Sequence, residues 1–227
     1  HQPQYLPWLP YFLKIKECDL FIFLDNVDFQ KNGLQNRNQV KTSQGGQWLT
    51  VPVRQKLGQK ICETRIDNTK NWRHKHWLTI QQSYGKASFF NKYSEELESV
   101  YKQEWRSLSE LNIEMTVMFM RWLAIKTPVM HSSNMEADSY ASDLVLNLCL
   151  EVGATHYLTG TGGKNYLKLE DFEKARVLIE YLPSILPKMY PQLYPEVGFI
   201  DYVSSLDITF NCGDKWLDYL PMEFGPR

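Results

Sequence analysis

The sequence predicts an α/β fold with a mostly parallel sheet, a β-hairpin and a helical insertion. The first indication is that residues 1–25 run from a rigid loop through a helical pattern into an apolar strand, which is how an α/β unit opens. The second is that the same alternation returns over 128–181. Between these halves, helical periodicity over about 71–125 predicts an insertion beside the sheet.

Composition limits the classes of protein that need to be considered. A length of 227 residues fits one domain, 1–227, with the insertion inside it. The formal charge of −1 creates no global field that would favour nucleic acid or an acidic membrane. The four cysteines form no CxxC pair, which is typical of a reduced cytoplasmic protein. No apolar run in the sequence is long enough to span a bilayer, so we expect no membrane insertion.

The opening stretch, residues 1–12, contains three prolines and four aromatic residues. Because proline fixes φ and removes a hydrogen-bond donor, this stretch suits neither a plain helix nor a central strand, and we predict a rigid loop. Pro10 suits the first turn of a helix that continues over 11–17, and 19–25 follow as a strand buried on both faces. Since the sequence starts at His1 without a methionine, we expect a short piece that carries most of a first strand to precede it.

The remaining elements follow from apolar periodicity and turn residues. Residues 38–42 and 47–53 predict a hairpin around a Ser-Gln-Gly-Gly turn. Short apolar runs indicate further strands at 61–67, 128–130, 155–159 and 177–181. Helical periodicity indicates helices at 71–84, 89–105, 108–125, 139–152, 169–175 and 200–210. The four prolines of 183–195 predict an irregular segment.

The first candidate site is the opening loop, with His1, Gln2, Tyr5 and Trp8. In an open parallel sheet, ligands bind where strands end and helices begin. A loop that enters a helix also offers free N–H groups to an anion. The alternative is that the aromatic side chains only wedge the loop into the core. The combination of polar and aromatic side chains at a ligand-binding edge favours the functional interpretation.

The second candidate is the turn that holds Asn36, Arg37, Asn38 and Lys41. An arginine fork binds a carboxylate or phosphate with two hydrogen bonds, and neighbouring amides fix the orientation of the ligand. The alternative is a solvated turn in which the asparagines bond to their own backbone. Both interpretations stay open at this point.

The third candidate follows the strand predicted at 155–159. It contains three glycines, Gly160, Gly162 and Gly163. Glycines allow backbone N–H groups to turn towards an anion, and Lys164 and Tyr166 would add a charge and a ring. The motif matches neither GxxxxGK[ST] nor GxGxxG, and glycines also serve tight turns. Its place at a strand end favours a ligand-binding loop.

The histidines indicate no metal site. His74 and His76 lie two residues apart, so they do not share a helix face, and no acid completes a zinc triad nearby. A basic helix edge between Trp72 and Trp77 is the favoured interpretation.

The opening loop also resembles part of another fold. Nucleotidylyltransferases of the adenylyl-transferring α/β type have a strand, a short proline-containing loop and an HxGH motif at a helix start. In this chain, Tyr5-Leu6-Pro7-Trp8 falls where HxGH would be. The resemblance supports the fold class. It weakens the case for ordinary nucleotidyl transfer, because Tyr and Trp cannot carry the positive charge of the two histidines.

A set of motifs then indicates a family. The segments HQPxYLPW, YFxKI, DLFIFLDNVDF, NRNQVKT, WLTVPV, IDNxxNWRHKHW, YLTGTGGKNYL and LDITFNCG together resemble the WbqC-like family of bacteria over nearly the whole chain. One departure is Pro10, where the family usually has Gly. The resemblance implies a bacterial cytoplasmic protein linked to biosynthesis of surface polysaccharides such as O-antigen, or of related small molecules. Members often sit among genes for unusual amino sugars.

The leading hypothesis is an enzyme that binds an activated small molecule, ATP, another nucleotide or a nucleotide-sugar, and transfers an acyl, aminoacyl or related group to an amine. In this hypothesis Arg37, Lys41 and the loop 160–164 hold anionic groups. Tyr5 and Trp8 stack on the planar or sugar part of the ligand. Tyr5 is also a candidate catalytic residue.

Two further residues are candidate catalytic residues in this hypothesis. His1 is the only histidine of the opening loop and would be the general base or donor. Asp25, at a strand end, would position the partner.

One alternative to this hypothesis is a non-catalytic binding or scaffold protein in polysaccharide assembly. The other is a transferase that contacts the end of a tRNA through Arg37, Lys75 and stacked aromatic rings.

Overall fold

The computed structural model describes residues 1–54, 56–183 and 186–221, which form a mixed α/β fold. The α-helices of the described part are α1 (Leu9–Lys16), α2 (Trp72–Tyr84), α3 (Phe90–Lys102), α4 (Leu108–Trp122), α5 (Ala141–Glu151), α6 (Leu169–Lys174) and α7 (Leu206–Cys212). The strands are β1 (Phe21–Phe23), β2 (Arg37–Thr42), β3 (Gly45–Thr50), β4 (Val53–Arg54), β5 (Arg65–Ile66), β6 (Val129–His131), β7 (His156–Gly160) and β8 (Leu178–Leu182).

The strands pair two by two in the described residues. β1 pairs with β6 and β7 pairs with β8 in parallel, whereas β2–β3 and β4–β5 are antiparallel. The prediction of one mostly parallel sheet is therefore replaced by short parallel and antiparallel pairs. The physical reason is that a cleft lies between β1 and β7, so the two parallel pairs do not meet.

The hairpin forms where the turn residues predicted it. β2 and β3 run in register from Arg37 opposite Thr50 to Thr42 opposite Gly45, which leaves Ser43 and Gln44 as the loop. Gly45 has a φ of 106°, a backbone conformation that glycine adopts without steric cost.

The opening loop leads from a position beside β1 into α1. The backbone N of His1 donates to Ile22 O at 2.8 Å, and Leu24 N donates to His1 O at 2.9 Å. α1 then begins at Leu9, two residues earlier than predicted, with Pro10 in its first turn. The chain thus turns from a strand-like position into a helix within this loop.

The last helix starts later than its sequence pattern predicts. α7 begins at Leu206 rather than near residue 200. Ser204 N donates to Gln39 O and Ser205 N donates to Pro7 O, so these backbone groups bond to the hairpin and the opening loop. They are therefore not available to an additional helical turn.

Buried side chains form two separate hydrophobic clusters. The larger one joins α1–α4, α7 and the strands β1–β3. The smaller one lies beside β7 and β8 and consists of Val145, Cys149, Leu167, Phe172 and Val177. Within the described residues, every helix is too short or too polar to cross a bilayer.

Candidate functional site

A cavity of about 240 Å³ lies beside α1, at the carboxyl ends of β7 and β8. Its wall combines His1, one side of α1, the loop that follows β7 and the end of β8. The carboxyl ends of parallel strands are the edge at which α/β proteins bind ligands. The side chains that face this cavity are therefore the first candidates for a ligand-binding site.

His1 and Trp8 come to the cavity from the opening loop. The His1 ring lies 4.9 Å from the Tyr11 ring, and the amide Nε2 of Gln4 lies 3.4 Å from His1 Nε2. The Trp8 ring packs 5.7 Å from that of Tyr202. Both rings are thus held by neighbouring side chains, and both residues line the cavity.

Lys14 is a cavity residue that the sequence patterns missed. It lies on α1 three residues after Tyr11 and is half-buried. Burial lowers the pKa of its ammonium group. Among the described residues, its side chain makes no hydrogen bond or ion pair. Its i, i+3 spacing from Tyr11, on the side of the helix next to the loop, was the available signal.

The loop after β7 is a 3₁₀ turn, Thr161–Asn165, and its glycines differ in their surroundings. A Cβ atom added at Gly160 or Gly162 would meet no heavy atom within 4 Å, and both residues line the cavity. At Gly163 the same atom would lie 2.7 Å from Thr159 Oγ1. Gly160 and Gly162 therefore leave the wall of the cavity open, whereas Gly163 permits close packing.

The other two predicted residues of this loop lie outside the cavity wall. Lys164 Nζ sits 5.1 Å from the centroid of the Tyr181 ring. Tyr166 is half-exposed and shares a hydrogen bond with Tyr157, whose pKa burial raises above its ordinary value. Their ligand-binding roles stay predictions.

Gln2 fixes the start of the opening loop. Its Oε1 accepts a hydrogen bond from Gln35 Nε2 at 3.0 Å, and its backbone O accepts one from the Tyr11 hydroxyl at 3.1 Å. The middle of the loop is constrained at Leu6, which is fully buried with a φ of 45°. Asn38 Nδ2 donates to Leu6 O at 2.7 Å and holds this unusual backbone in place.

Tyr5 lies in the core and not in the cavity wall. The Tyr5 hydroxyl lies 2.8 Å from His76 Nδ1, a hydrogen-bond distance at which the histidine tautomer sets the donor. The Tyr101 hydroxyl lies 2.6 Å from that of Tyr5 and completes the chain. Burial raises the pKa of Tyr5 well above its ordinary value and lowers that of His76 to about 4.

Asp25 is also buried, at the end of β1. Its Oδ1 accepts from Ser133 N at 2.8 Å and from Ser132 Oγ at 3.1 Å. Its Oδ2 accepts from Ser133 Oγ at 2.8 Å and from Ser109 Oγ at 3.4 Å. These bonds connect the end of β1 to the end of β6 and to α4. The catalytic roles of Asp25 and Tyr5 stay predictions, with neither side chain lining the cavity.

The predicted Asn-Arg-Asn turn is the start of a strand, because Arg37 and Asn38 open β2 at the base of the hairpin and Asn36 directly precedes them. Asn36 is buried, and its Nδ2 donates to Val51 O at 3.0 Å. The guanidinium of Arg37 stacks 4.3 Å from the centroid of the Trp48 ring. The amides of Asn36 and Asn38 thus bond to backbone in the structure, and Arg37 presents its charge on a hairpin face away from the cavity wall.

Lys41 is buried in a separate polar network. Its Nζ donates to Gly198 O at 2.6 Å and to Gln192 Oε1 at 3.1 Å. Burial lowers the pKa of Lys41, and the nearby Asp207 opposes this effect. Burial raises the pKa of Asp207 to about 6. Of the predicted residues, the structure brings together His1, Trp8, Gly160 and Gly162, with Gln2 beside them, and it places Arg37 and Lys41 elsewhere.

Metal ligands do not cluster in the part of the chain that the structure covers. No three His, Cys, Asp or Glu side chains among residues 1–54, 56–183 and 186–221 come together as a metal ion would need.

The comparison with known proteins decides the family. A family model described as the WbqC-like protein family matches residues 2–219. The chain belongs to this family. A WbqC-like match of this extent includes both the opening loop and the glycine loop at the cavity. In Mycobacterium tuberculosis, the protein named Uncharacterized protein Rv1507c is 35% identical over 222 residues, which cover 96% of this chain and 95% of that protein. No solved structure matches the chain.

Proposed function

We propose that this chain is a biosynthetic enzyme that binds an anionic, activated small molecule in the cavity between α1 and the glycine loop. The ligand would be ATP, another nucleotide or a nucleotide-sugar, and an acyl, aminoacyl or related group would pass to an amine. One observation carries the proposal. Lys14, a half-buried cation without a partner among the described residues, faces a cavity at the ends of two parallel strands.

The dimensions of the cavity favour a charged end of the ligand over a whole nucleotide. Its volume of about 240 Å³ is below the range of roughly 300–1,000 Å³ that drug-sized ligands occupy. A phosphate or carboxylate would gain an ion pair with Lys14 and would approach the open backbone at Gly160 and Gly162. The remainder of the ligand would extend out along Trp8, whose ring suits a sugar or base face.

His1 is suited to the proton transfer that such a reaction requires. The attacking amine forms a bond to the carbonyl carbon, and the leaving group departs with the electron pair of the bond that breaks. The amine must also lose a proton, and the imidazole of His1 would accept it as general base. Of the histidines in the described residues, His1 lines the cavity and the others do not.

Ligand-dependent thermal stability tests the binding part of the proposal. ATP, a nucleotide-sugar and an acyl-CoA are each titrated to millimolar concentration, and at about 100 times Kd a ligand stabilises by about 2.7 kcal/mol. Lys14→Met keeps the apolar stem and removes the charge, so affinity falls by about tenfold or more. Lys126→Met, at an exposed lysine just before β6, is the matched control and binds as the wild type. Absence of a shift with every ligand contradicts the proposal.

Turnover of an identified ligand tests the catalytic part. His1→Gln leaves binding intact and lowers turnover by about 100-fold or more, since a general base contributes at least that factor. His74→Gln, at an exposed histidine of α2, serves as the control. A ligand that binds without any turnover indicates a binding or scaffold protein. Salt-dependent binding of tRNA indicates the RNA-contacting alternative.

A further inference from the structure

Gln4 is a buried amide of the opening loop that lies beside the imidazole of His1. Gln4 is 7% exposed, and its Nε2 lies 3.4 Å from His1 Nε2. The other end of the amide, Oε1, is buried and has no hydrogen-bond partner among the described residues. A buried acceptor without a donor is costly, so this orientation of the amide is unfavourable.

A second buried acceptor without a donor lies in the same part of the interior. Asn112 of α4 is fully buried, and its Oδ1 has no partner in the part of the chain that the structure covers. Its Nδ2 donates to Gln35 O at 2.7 Å and lies 3.5 Å from Pro3 O, the carbonyl of the peptide bond to Gln4. The Asn112 amide therefore reaches the opening loop at the residue that precedes Gln4.

Reversal of the Gln4 amide addresses both unsatisfied acceptors. The oxygen and nitrogen ends of an amide have nearly the same shape, so the hydrogen-bond network decides which end points where. With Oε1 towards His1, the oxygen accepts a hydrogen bond from His1 Nε2–H. The amide NH2 group then turns into the interior and brings two donors to the region in which Asn112 Oδ1 lacks one.

The neighbouring backbone holds Gln4 in place. Pro3 has a fixed φ, and Tyr5 N donates to Leu34 O at 3.0 Å. His1 lines the ligand cavity, and its Nδ1 makes no hydrogen bond to the described residues. Since a hydrogen bond at one ring nitrogen of a histidine sets the tautomer, the Gln4 amide decides which nitrogen keeps its lone pair.

We propose that Gln4 is a positioning residue for His1, whose Oε1 holds the imidazole as the Nε2–H tautomer and leaves the lone pair on Nδ1. The role of this lone pair as general base rests on the proposed function, whereas the tautomer does not. A third group that orients the base is a common part of such sites.

The proton transfer then has a defined route. As the new C–N bond forms, the amine gives its proton to His1 Nδ1, and the leaving group takes the electron pair of the bond that breaks. The imidazolium keeps its Nε2–H hydrogen bond to Gln4 Oε1. It passes the proton from Nδ1 to the leaving group, which restores the neutral tautomer for the next turnover.

NMR spectra of nitrogen-15-histidine-labelled protein test the tautomer at about pH 8, where an ordinary imidazole is neutral. The signals that disappear in His1→Gln belong to His1, and we expect a protonated Nε2 and an unprotonated Nδ1 in the wild type. Gln4→Met keeps the side-chain length and removes both ends of the amide, so both nitrogens shift towards the values of a mixed population. Gln4→Glu keeps an acceptor at Nε2 and restores the tautomer. Gln59→Met, at a similarly buried amide that donates to Thr64 Oγ1, is the matched control and leaves the His1 signals unchanged.

Turnover of an identified ligand adds a second readout. Gln4→Met lowers kcat by about tenfold and leaves KM within about twofold, because the base loses its orientation while the ligand keeps its contacts. Gln4→Glu recovers most of kcat, and a purely structural role of the amide does not predict this recovery.

Two results would overturn the proposal. A wild-type His1 with a protonated Nδ1 and an unprotonated Nε2 assigns the donor end of the Gln4 amide to this contact. A His1 tautomer that is the same in Gln4→Met as in the wild type removes Gln4 as its cause. Both results leave the proposed function intact, whereas full turnover in His1→Gln contradicts the proposed function and does not alter the spectra of Gln4→Met.

Discussion

Gly162 and Gly163 are neighbours in sequence, but their surroundings give them different tasks. A methyl group at Gly162 meets open space at the cavity wall, whereas at Gly163 it would lie 2.7 Å and 2.8 Å from two side-chain atoms of Thr159. Neither residue has a positive φ, so packing alone distinguishes them.

We predict a loss of stability for alanine at Gly163 and a loss of ligand affinity for alanine at Gly162. Gly163→Ala destabilises by about 1–3 kcal/mol in urea unfolding, because the short Thr159 side chain has to move. Gly162→Ala stays within about 0.5 kcal/mol of the wild type and weakens the ligand-induced thermal shift, because its methyl group occupies the wall of the cavity. Unchanged ligand affinity in Gly162→Ala would show that the ligand does not approach this loop.

Asp25 illustrates how a polar residue at a strand end can belong to the architecture. Its carboxylate accepts hydrogen bonds from Ser109, Ser132 and Ser133. Asp25→Ala removes the buried acceptor of Ser109 and Ser132 and the partner of the Ser133 backbone N–H, and we expect a loss of about 3 kcal/mol in denaturant unfolding. Asp28→Ala, at an exposed neighbour, changes stability by less than about 0.5 kcal/mol. A stable Asp25→Ala protein that binds ligand without turnover would favour the catalytic prediction instead.

The buried His76 predicts a pH dependence of stability. Its folded pKa of about 4 lies below the ordinary 6.5, so the unfolded chain takes up the proton first as pH falls. The contribution of neutral His76 to the free energy of unfolding is fully present above pH 6.5. It falls by roughly 3 kcal/mol towards pH 4, measured relative to His76→Gln. Asp207 acts in the opposite direction, since its folded pKa is raised to about 6, and the variant comparison cancels its contribution. The exposed His74→Gln should reproduce the wild-type slope.

Three elements meet at the hydroxyl of Tyr84. This residue ends α2, and its hydroxyl accepts from Lys41 N of β2 at 2.9 Å and donates to Asp207 Oδ2 of α7 at 3.0 Å. Tyr84→Phe removes both bonds at nearly constant volume. We expect a loss of about 1–3 kcal/mol in thermal or urea unfolding, whereas Tyr140→Phe at an exposed position changes little. If the two variants are equally stable, the link does not contribute to the docking of α7.

Local signals were sufficient for some elements and insufficient for others. The hairpin could be predicted because the Ser-Gln-Gly-Gly turn, with Gly45 at a positive φ, acts within a few positions of the chain. The start of α7 could not, because Ser204 and Ser205 bond to residues far away in the sequence. β1 is also shorter than the predicted 19–25, with Asp25 N bonded to Ser132 Oγ beyond its end.

The molecule as a whole reveals which predicted residues share a site. The residues of two strand-end loops, His1 and Trp8 with Gly160 and Gly162, do meet at one cavity, as the switch-point argument anticipated. The set around Arg37 lies elsewhere, because its hairpin packs against the opening loop from another side. Lys14 was not predicted, because its i, i+3 spacing from Tyr11 places it on the loop side of α1 but does not by itself distinguish a half-buried lysine from a solvated one.

The gap between β1 and β7 has a consequence for cooperativity. The two hydrophobic clusters on either side of it are not continuous in the described residues. A region with its own small core can open as a separate foldon at a lower free energy than global unfolding. The unit of α5, β7, α6 and β8 is therefore expected to open separately from the larger core, and the glycine loop would move with it. Such an opening would change the distance between the two walls of the ligand cavity, because α1 belongs to the larger core and the glycine loop to the smaller unit.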